Sequence, residues 1–121
     1  MSEARKQTIY QIEENGAPTD VVLKFGNYRR GNMLAVSLYC RPDDAEDTGL
    51  DFCELYDVIT VNLPESEHLP PDVQFIDVNN HPGIASWLVN NHIAEPYPAF
   101  AQSGFCFYPA FKFVVERDGQ A

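Results

Sequence analysis

Cys106 is the first candidate for a catalytic nucleophile in this sequence, because Gly104 closely precedes it. The chain also supplies three candidate bases, His68, His81 and His92. A cysteine becomes nucleophilic when a neighbouring base or cation favours its thiolate. No Lys or Arg occurs between Arg41 and Lys112, and nearby carboxylates favour the neutral thiol. The sequence therefore favours a packed strand cysteine, and a small hydrolase or transferase that uses Cys106 is kept as an alternative.

Clustered carboxylates form the second candidate site. Four acids lie close together before Gly49: Asp43, Asp44, Glu46 and Asp47. Carboxylate oxygens suit Ca²⁺ or Mg²⁺, but the Gly and Glu spacing of a calcium-binding EF-hand loop is missing. His81 and His92 are eleven residues apart, and no HExxH or CxxC motif offers zinc ligands. We expect no metal ion and no cofactor, and an enzyme is not favoured.

Aromatic side chains form the third candidate site, near the C-terminal end. They are Tyr97, Phe100, Phe105, Phe107, Tyr108 and Phe111. Alternation along a last strand predicts that Phe105, Phe107, Phe111 and Phe113 face the core. The Pro-bounded loop 94–102 leaves other aromatic rings exposed, as is typical of protein-contact sites. We predict an interaction surface that includes Tyr97, Phe100 and Tyr108.

The formal charge of −10 is concentrated in one block of the chain. The seventy residues between Arg41 and Lys112 contain twelve carboxylates and no Lys or Arg. A field of this sign repels nucleic acid and anionic membranes and favours a cationic partner. We therefore expect no direct binding of nucleic acid or membrane.

Length and composition indicate one domain over residues 1–121, with residues 1–7 frayed. The three cysteines, Cys40, Cys53 and Cys106, are an odd number and lie in or beside apolar runs, as buried free cysteines do. The sequence shows no secretory signal pattern and no apolar run of about 18 residues. These features predict a reduced, cytoplasmic setting.

Period-two alternation predicts most of the strands. Thr8 to Glu13 is a first strand, and the runs 20–26 and 34–40 form a hairpin around the turn residues 27–32. A third clear strand runs from Cys53 to Leu63, interrupted at Asp57. Residues 73–78 and 105–115 are the remaining strands, and 65–72 is a loop.

One segment has helical spacing. Asn79-Asn80-His81-Pro82 is a helix start signal, in which His81 is a polar helix-start residue. The stripe of Ile84, Trp87, Leu88 and Asn91 follows, and Trp87 is predicted to be buried against the sheet. The expected fold class is α+β: a mainly antiparallel sheet of about five to six strands with one principal helix packed on one face.

Several motifs between Pro70 and Phe113 resemble a known family. They are Pro70-Pro71-Asp72, the run 75–80, Trp87-Leu88, and Ser103-Gly104-Phe105-Cys106-Phe107-Tyr108-Pro109. Together they are similar to the bacterial domain-of-unknown-function family 4313, whose members occur in gut Firmicutes and often on mobile elements. The resemblance implies a small cytoplasmic α+β domain and supplies no catalytic residues.

Three functional hypotheses follow. The leading one is a non-enzymatic, small acidic interaction domain, an accessory protein of a mobile element that binds a protein partner or a second copy of itself. The second is a DNA mimic that inhibits a nucleic-acid-binding protein, for which the carboxylates would have to be spaced like phosphates. The third is the small hydrolase or transferase that uses Cys106.

Overall fold

The computed structural model describes residues 8–14, 16–42 and 52–116. The expected fraying of residues 1–7 lies outside this part of the chain. The described residues form eight strands, one α-helix and one 3₁₀ helix. The strands are β1 (Tyr10–Glu14), β2 (Ala17–Asn27), β3 (Leu34–Cys40), β4 (Glu54–Val58), β5 (Thr60–Val61), β6 (Val73–Ile76), β7 (Ala94–Ser103) and β8 (Cys106–Phe113). The α-helix α1 is Ile84–Asn90, and the 3₁₀ helix is Pro64–His68.

The strands form two four-stranded sheets, in the orders β1-β2-β3-β4 and β5-β6-β8-β7. The pairs β1–β2, β3–β4, β5–β6, β6–β8 and β7–β8 are antiparallel. The α+β class with mainly antiparallel strands and one helix is confirmed. The expected single sheet of five to six strands was wrong, because the described chain has eight strands divided between two sheets.

The contacts group the described residues into two compact units. The first contains the described residues up to 24, residues 37–42 and 52–58, and residue 116, and the second contains residues 25–36 and 59–115. The sequence expectation of one domain over 1–121 stays a prediction.

The turn between β2 and β3 confirms the predicted hairpin. The Tyr28 amide donates to the Met33 carbonyl at 2.7 Å, and the Asn27 side chain donates to the Asn32 carbonyl at 3.1 Å. Gly31 and Asn32 have φ values of 75° and 56°, in the left-handed region that Gly and Asn tolerate. The turn residues are therefore the ones that this backbone requires.

The segment predicted as one strand from Cys53 to Leu63 is two strands in different sheets. β4 ends at Val58 and β5 begins at Thr60, so the chain changes sheets at Ile59. The buried Ile59 donates to the Val36 carbonyl and accepts a bond from the Asp77 amide, each at 3.0 Å. The strand ends here because Ile59 forms hydrogen bonds with two segments that are distant in sequence. The alternation of apolar residues carries no information on such bonds.

Three further details differ from the sequence expectations: the segment 65–72, the start of α1 and the burial of Trp87. The predicted loop at 65–72 begins with the 3₁₀ helix Pro64–His68, which turns after the extended Leu63. Helix α1 begins at Ile84, two residues after Pro82, and buries Ile84 and Leu88. Trp87 is half-buried rather than fully covered.

The core of the second unit contains a wholly buried amide, that of Gln74 on β6. Its Oε1 accepts bonds from the Ser66 hydroxyl at 2.7 Å and the Phe75 amide at 2.9 Å. Its Nε2 donates to the Leu34 carbonyl at 2.9 Å and approaches Asn62 Oδ1 at 3.5 Å. In the described part of the chain, no buried side-chain nitrogen or oxygen lacks a partner.

We predict that Gln74→Leu destabilises the protein strongly. Leucine keeps most of the volume but leaves the Ser66 hydroxyl and the Leu34 carbonyl without this partner. Each buried polar group left unpaired costs about 1–3 kcal/mol. Urea unfolding should therefore shift to a clearly lower midpoint than in Gln102→Leu, which changes an exposed strand glutamine. Equal midpoints for the two variants would show that the buried amide contributes nothing.

Candidate functional site

β7 and β8 form a long antiparallel hairpin. Residues 94–102, predicted as a loop, belong to strand β7, which pairs with β8 from Ala94–Phe113 to Ser103–Cys106. The loop prediction rested on Pro96 and Pro98. Both prolines are accommodated because β7 is at the edge of the sheet, and an irregularity in register lies between Tyr97 and Phe100.

The far end of this hairpin extends beyond the third strand. β6 pairs with β8 only at Ala110, Phe111 and Lys112, so residues 106–109 of β8 pair with β7 alone among the described strands. A two-residue turn of Gly104 and Phe105 closes the hairpin, with Gly104 at a φ of 61°. Glycine at the first turn position is the usual requirement of a type II′ hairpin.

Three phenylalanines are exposed at this end, and we call Phe100, Phe105 and Phe107 the aromatic end. Their exposed fractions are 65% for Phe100, 106% for Phe105 and 48% for Phe107. The prediction that Phe105 and Phe107 face the core was wrong, whereas Phe111 and Phe113 are buried as expected. On the phenylalanine face the core covers β8 at Phe111 and Phe113 but not at Phe107, so the alternation continues past the point where this face is covered.

The aromatic end is a defined arrangement. The rings of Phe100 and Phe107 lie 5.1 Å apart between centroids, at 34° to each other. The side chain of Asn79, from the segment after β6, donates to the Phe107 carbonyl at 3.0 Å. Phe105 lies at the turn, where its side chain is as exposed as in an extended peptide. The arrangement therefore presents apolar surface on an anchored hairpin.

The other two predicted interaction residues lie on the opposite face of the hairpin. Tyr97 and Tyr108 are half-buried and pack against the cluster of Val73, Phe75, Ala101 and Ala110. Of the predicted set Tyr97, Phe100 and Tyr108, only Phe100 belongs to the aromatic end. A glycine between two β runs was the sequence signal for a tight turn that would have located Phe105 and Phe107.

Cys106 lies beside Tyr108 on the same face of β8. A hydrogen bond with Cys106 raises the pKa of Tyr108, and burial and the charge of Asp77 act in the same direction. Cys106 and Cys40 are half-buried free thiols, whereas Cys53 is exposed and so does not behave as a buried cysteine of an apolar run. None of these contacts joins a histidine side chain to the Cys106 thiol.

The histidines and acids are dispersed. His81, predicted as a polar helix-start residue, lies three residues before α1 and is buried: its amide donates to the Asp77 carbonyl, and its carbonyl accepts from the Ile84 amide. Within residues 8–14, 16–42 and 52–116, no three His, Cys, Asp or Glu side chains are grouped to hold a metal ion. The candidate cation site at Asp43, Asp44, Glu46 and Asp47 lies outside the described residues.

The pKa values of two other tyrosines, Tyr28 and Tyr56, are also raised. Burial raises the pKa of Tyr28, and the charge of Asp77 adds to the rise, while the hydrogen bond with Thr60 opposes it. Burial, and then the bond and charge of Glu14, raise the pKa of Tyr56 to about 12. The Tyr56 hydroxyl donates to Glu14 Oε1 at 2.7 Å. Phenols with an ordinary pKa of 10.0 are already protonated near neutrality, and the upward shifts move both pKa values further from it, so neither phenol acts there as a base.

Comparison with protein families gives one match. The family model described as a domain of unknown function, DUF4313, matches residues 22–120. The chain belongs to the DUF4313 family. The match includes the whole β7–β8 hairpin, and so the aromatic end lies within the family domain. No curated protein and no solved structure matches this DUF4313 chain. Among its described helices, none has the length and apolar character needed to cross a membrane.

For this DUF4313 protein we predict that iodoacetamide modifies Cys53 before Cys106 at neutral pH. Cys53 is exposed and Cys106 is half-buried, so access favours Cys53. Peptide mapping by mass spectrometry over time gives the two rates in one sample. A faster reaction at Cys106 would indicate an activated thiolate and would support the enzyme hypothesis.

A second prediction concerns the bond between Tyr56 and Glu14. Because the pKa of Tyr56 in the fold lies above its ordinary 10.0, the bond's contribution to stability is complete below pH 10 and is lost as the pH rises toward 12. Near neutrality, Tyr56→Phe should lose about 0.5–1.5 kcal/mol of unfolding free energy. This deficit should shrink between pH 10 and pH 12.

Urea unfolding of both proteins across that range measures the deficit. Glu14→Gln is the matched control, since it keeps an acceptor but removes the charge, and it should lower the pKa of Tyr56 followed by tyrosinate absorbance. A deficit that does not change with pH would contradict the assigned bond.

Proposed function

We propose that this DUF4313 protein is a non-enzymatic interaction domain that contacts a protein partner through the aromatic end. The observation that carries the proposal is the exposure of Phe100, Phe105 and Phe107 together on one anchored hairpin. Large exposed aromatic side chains that adjoin one another are typical of protein-contact surfaces.

The fold supplies no reason for Phe105, whereas Phe100 and Phe107 also pack on each other across the two strands. A type II′ turn accepts a polar residue at the position of Phe105, and polar residues are usual at hairpin ends. Phe105 buries almost none of its side chain, and so it contributes little to the core. A partner that covers the aromatic end would remove this exposed apolar surface from water. Each Å² of apolar surface buried in this way contributes about 25 cal/mol to the free energy of binding.

The groups considered for catalysis do not favour the competing hypothesis. Cys106 is half-buried beside the Tyr108 phenol, and the phenols with displaced pKa values remain protonated near neutrality. Two cavities among the described residues contain neither Cys106 nor a histidine. One of about 140 Å³ is lined by Arg30, Met33, Asn62, Leu63, Pro64 and Glu67, and one of about 390 Å³ is lined by Gln11, Pro18, Thr19, Asp20, Cys40 and Arg41. An interaction domain therefore accounts for more of the described surface than an enzyme does.

The double variant Phe100→Ser/Phe105→Ser tests the proposal. It should unfold at nearly the same urea concentration as the parent, because both side chains are exposed, but it should lose the partner. Affinity capture from the native host with quantitative mass spectrometry finds proteins retained by the parent and lost by the variant, and each candidate is then purified and titrated directly.

The matched control is Ile9→Ser/Leu55→Ser, which removes two apolar side chains that are each 50% exposed, one just before β1 and one on β4. It should keep the partner. If all three proteins retain the same set of captured proteins, the aromatic end is not the contact surface.

A further inference from the structure

The outer edge of β7 has two halves that differ in their capacity to pair. The first half contains Pro96 and Pro98, which have no amide donor, and an irregularity in register. Prolines and bulges are devices that protect an edge strand from pairing with another chain. The second half, residues 99–103, contains no proline; after Ala99, which lies within the irregularity, residues 100–103 pair in register, and among the described strands they pair only with β8.

An extended segment can therefore add to this second half. In an antiparallel ladder, every second residue directs its amide and carbonyl away from the existing partner. Residues 99–103 thus offer a short row of backbone groups at the edge of the sheet. Addition of a strand at such an edge is a recurrent mode of peptide recognition, with side-chain contacts that supply its specificity.

The aromatic end lies beside this row. Phe100 belongs to residues 99–103, and its ring lies 5.1 Å from that of Phe107 on the neighbouring strand. Side chains of an added strand alternate between faces, so every second one would lie over the Phe100 face of the hairpin. The edge and the rings thus form one continuous surface.

Charge indicates which segment suits this surface. The hairpin carries no Lys or Arg before Lys112, which stands opposite the hairpin's one carboxylate, Glu95, so the charge that favours a cationic segment is the formal −10 of the chain. Guanidinium and ammonium groups bind the faces of aromatic rings, arginine more often. A second copy is disfavoured, because each chain has a formal charge of −10.

We propose that the partner supplies an extended, arginine-bearing segment that adds as a strand to residues 99–103 of β7, with its cationic side chains over Phe100 and Phe107. The inference rests on the proposed function and goes further, because it specifies the backbone edge and the charge of the bound segment.

The probe is a short peptide of alternating arginine and valine, titrated into the full chain and followed by NMR and amide hydrogen exchange. Binding should be tighter than about 1 mM, and amide protection should increase within residues 99–103. Phe100→Ser should weaken binding about tenfold or more, whereas Val89→Ser, at a 41% exposed position on α1, should not.

Backbone methylation of the peptide separates strand addition from simple attraction of opposite charges. Two peptides carry methyl groups on alternate backbone nitrogens, in the two possible phases. A strand bonds through every second residue, so one phase should lose binding about tenfold or more and the other should keep it. Equal binding of both phases and the unmethylated peptide would overturn the inference, as would equal binding of a glutamate–valine peptide.

Two further outcomes distinguish the inference from the proposed function. Sedimentation that shows dimers of the parent but monomers of Phe100→Ser would overturn the cationic segment and keep the protein-contact function. Binding to zwitterionic lipid vesicles that depends on Phe105, with no peptide binding, would overturn both.

Discussion

The buried amide of Gln74 is the constraint on which the second unit depends. It lies at the centre of β6 and bonds the 3₁₀ helix through Ser66 and the start of β3 through Leu34. A buried amide without partners is costly, so the segments that satisfy it are held in one arrangement. Thr60 acts similarly on a smaller scale, since its hydroxyl accepts the Val36 amide and bonds the Tyr28 phenol.

The position of the aromatic end follows from this anchoring. β6 holds β8 at residues 110–112, and β8 holds β7 along its whole length. The part of the hairpin beyond Ala110 therefore leaves the sheet as a pair of strands, which the contacts of Tyr97 and Tyr108 and the bond from Asn79 support on one side. Core packing thus reaches one face of the hairpin end and leaves Phe100, Phe105 and Phe107 uncovered.

Local patterns predicted much of the fold correctly. Alternation located the β2–β3 hairpin, helical spacing located α1, and the run from Phe105 to Phe113 located β8. The errors arose where tertiary contacts decide the outcome. The sheet change at Ile59 depends on Val36 and Asp77, which are distant in sequence. The assignment of 94–102 to a loop followed the usual meaning of Pro, but an edge strand tolerates it.

The sequence by itself determined the family, the mainly antiparallel α+β class and the concentration of negative charge, because these follow from motifs, short-range periodicity and residue counts. It also indicated that aromatic residues near the C-terminus matter, and it included Phe100 among them. Only the tertiary structure decided which of those rings are exposed. Period two assigns Phe105, Phe107, Phe111 and Phe113 to one face of a strand, but it carries no information on where the covering layer ends. That limit is set by the length of β6 and its pairing with β8, and so the exposure of a side chain depends on residues far from it in the sequence.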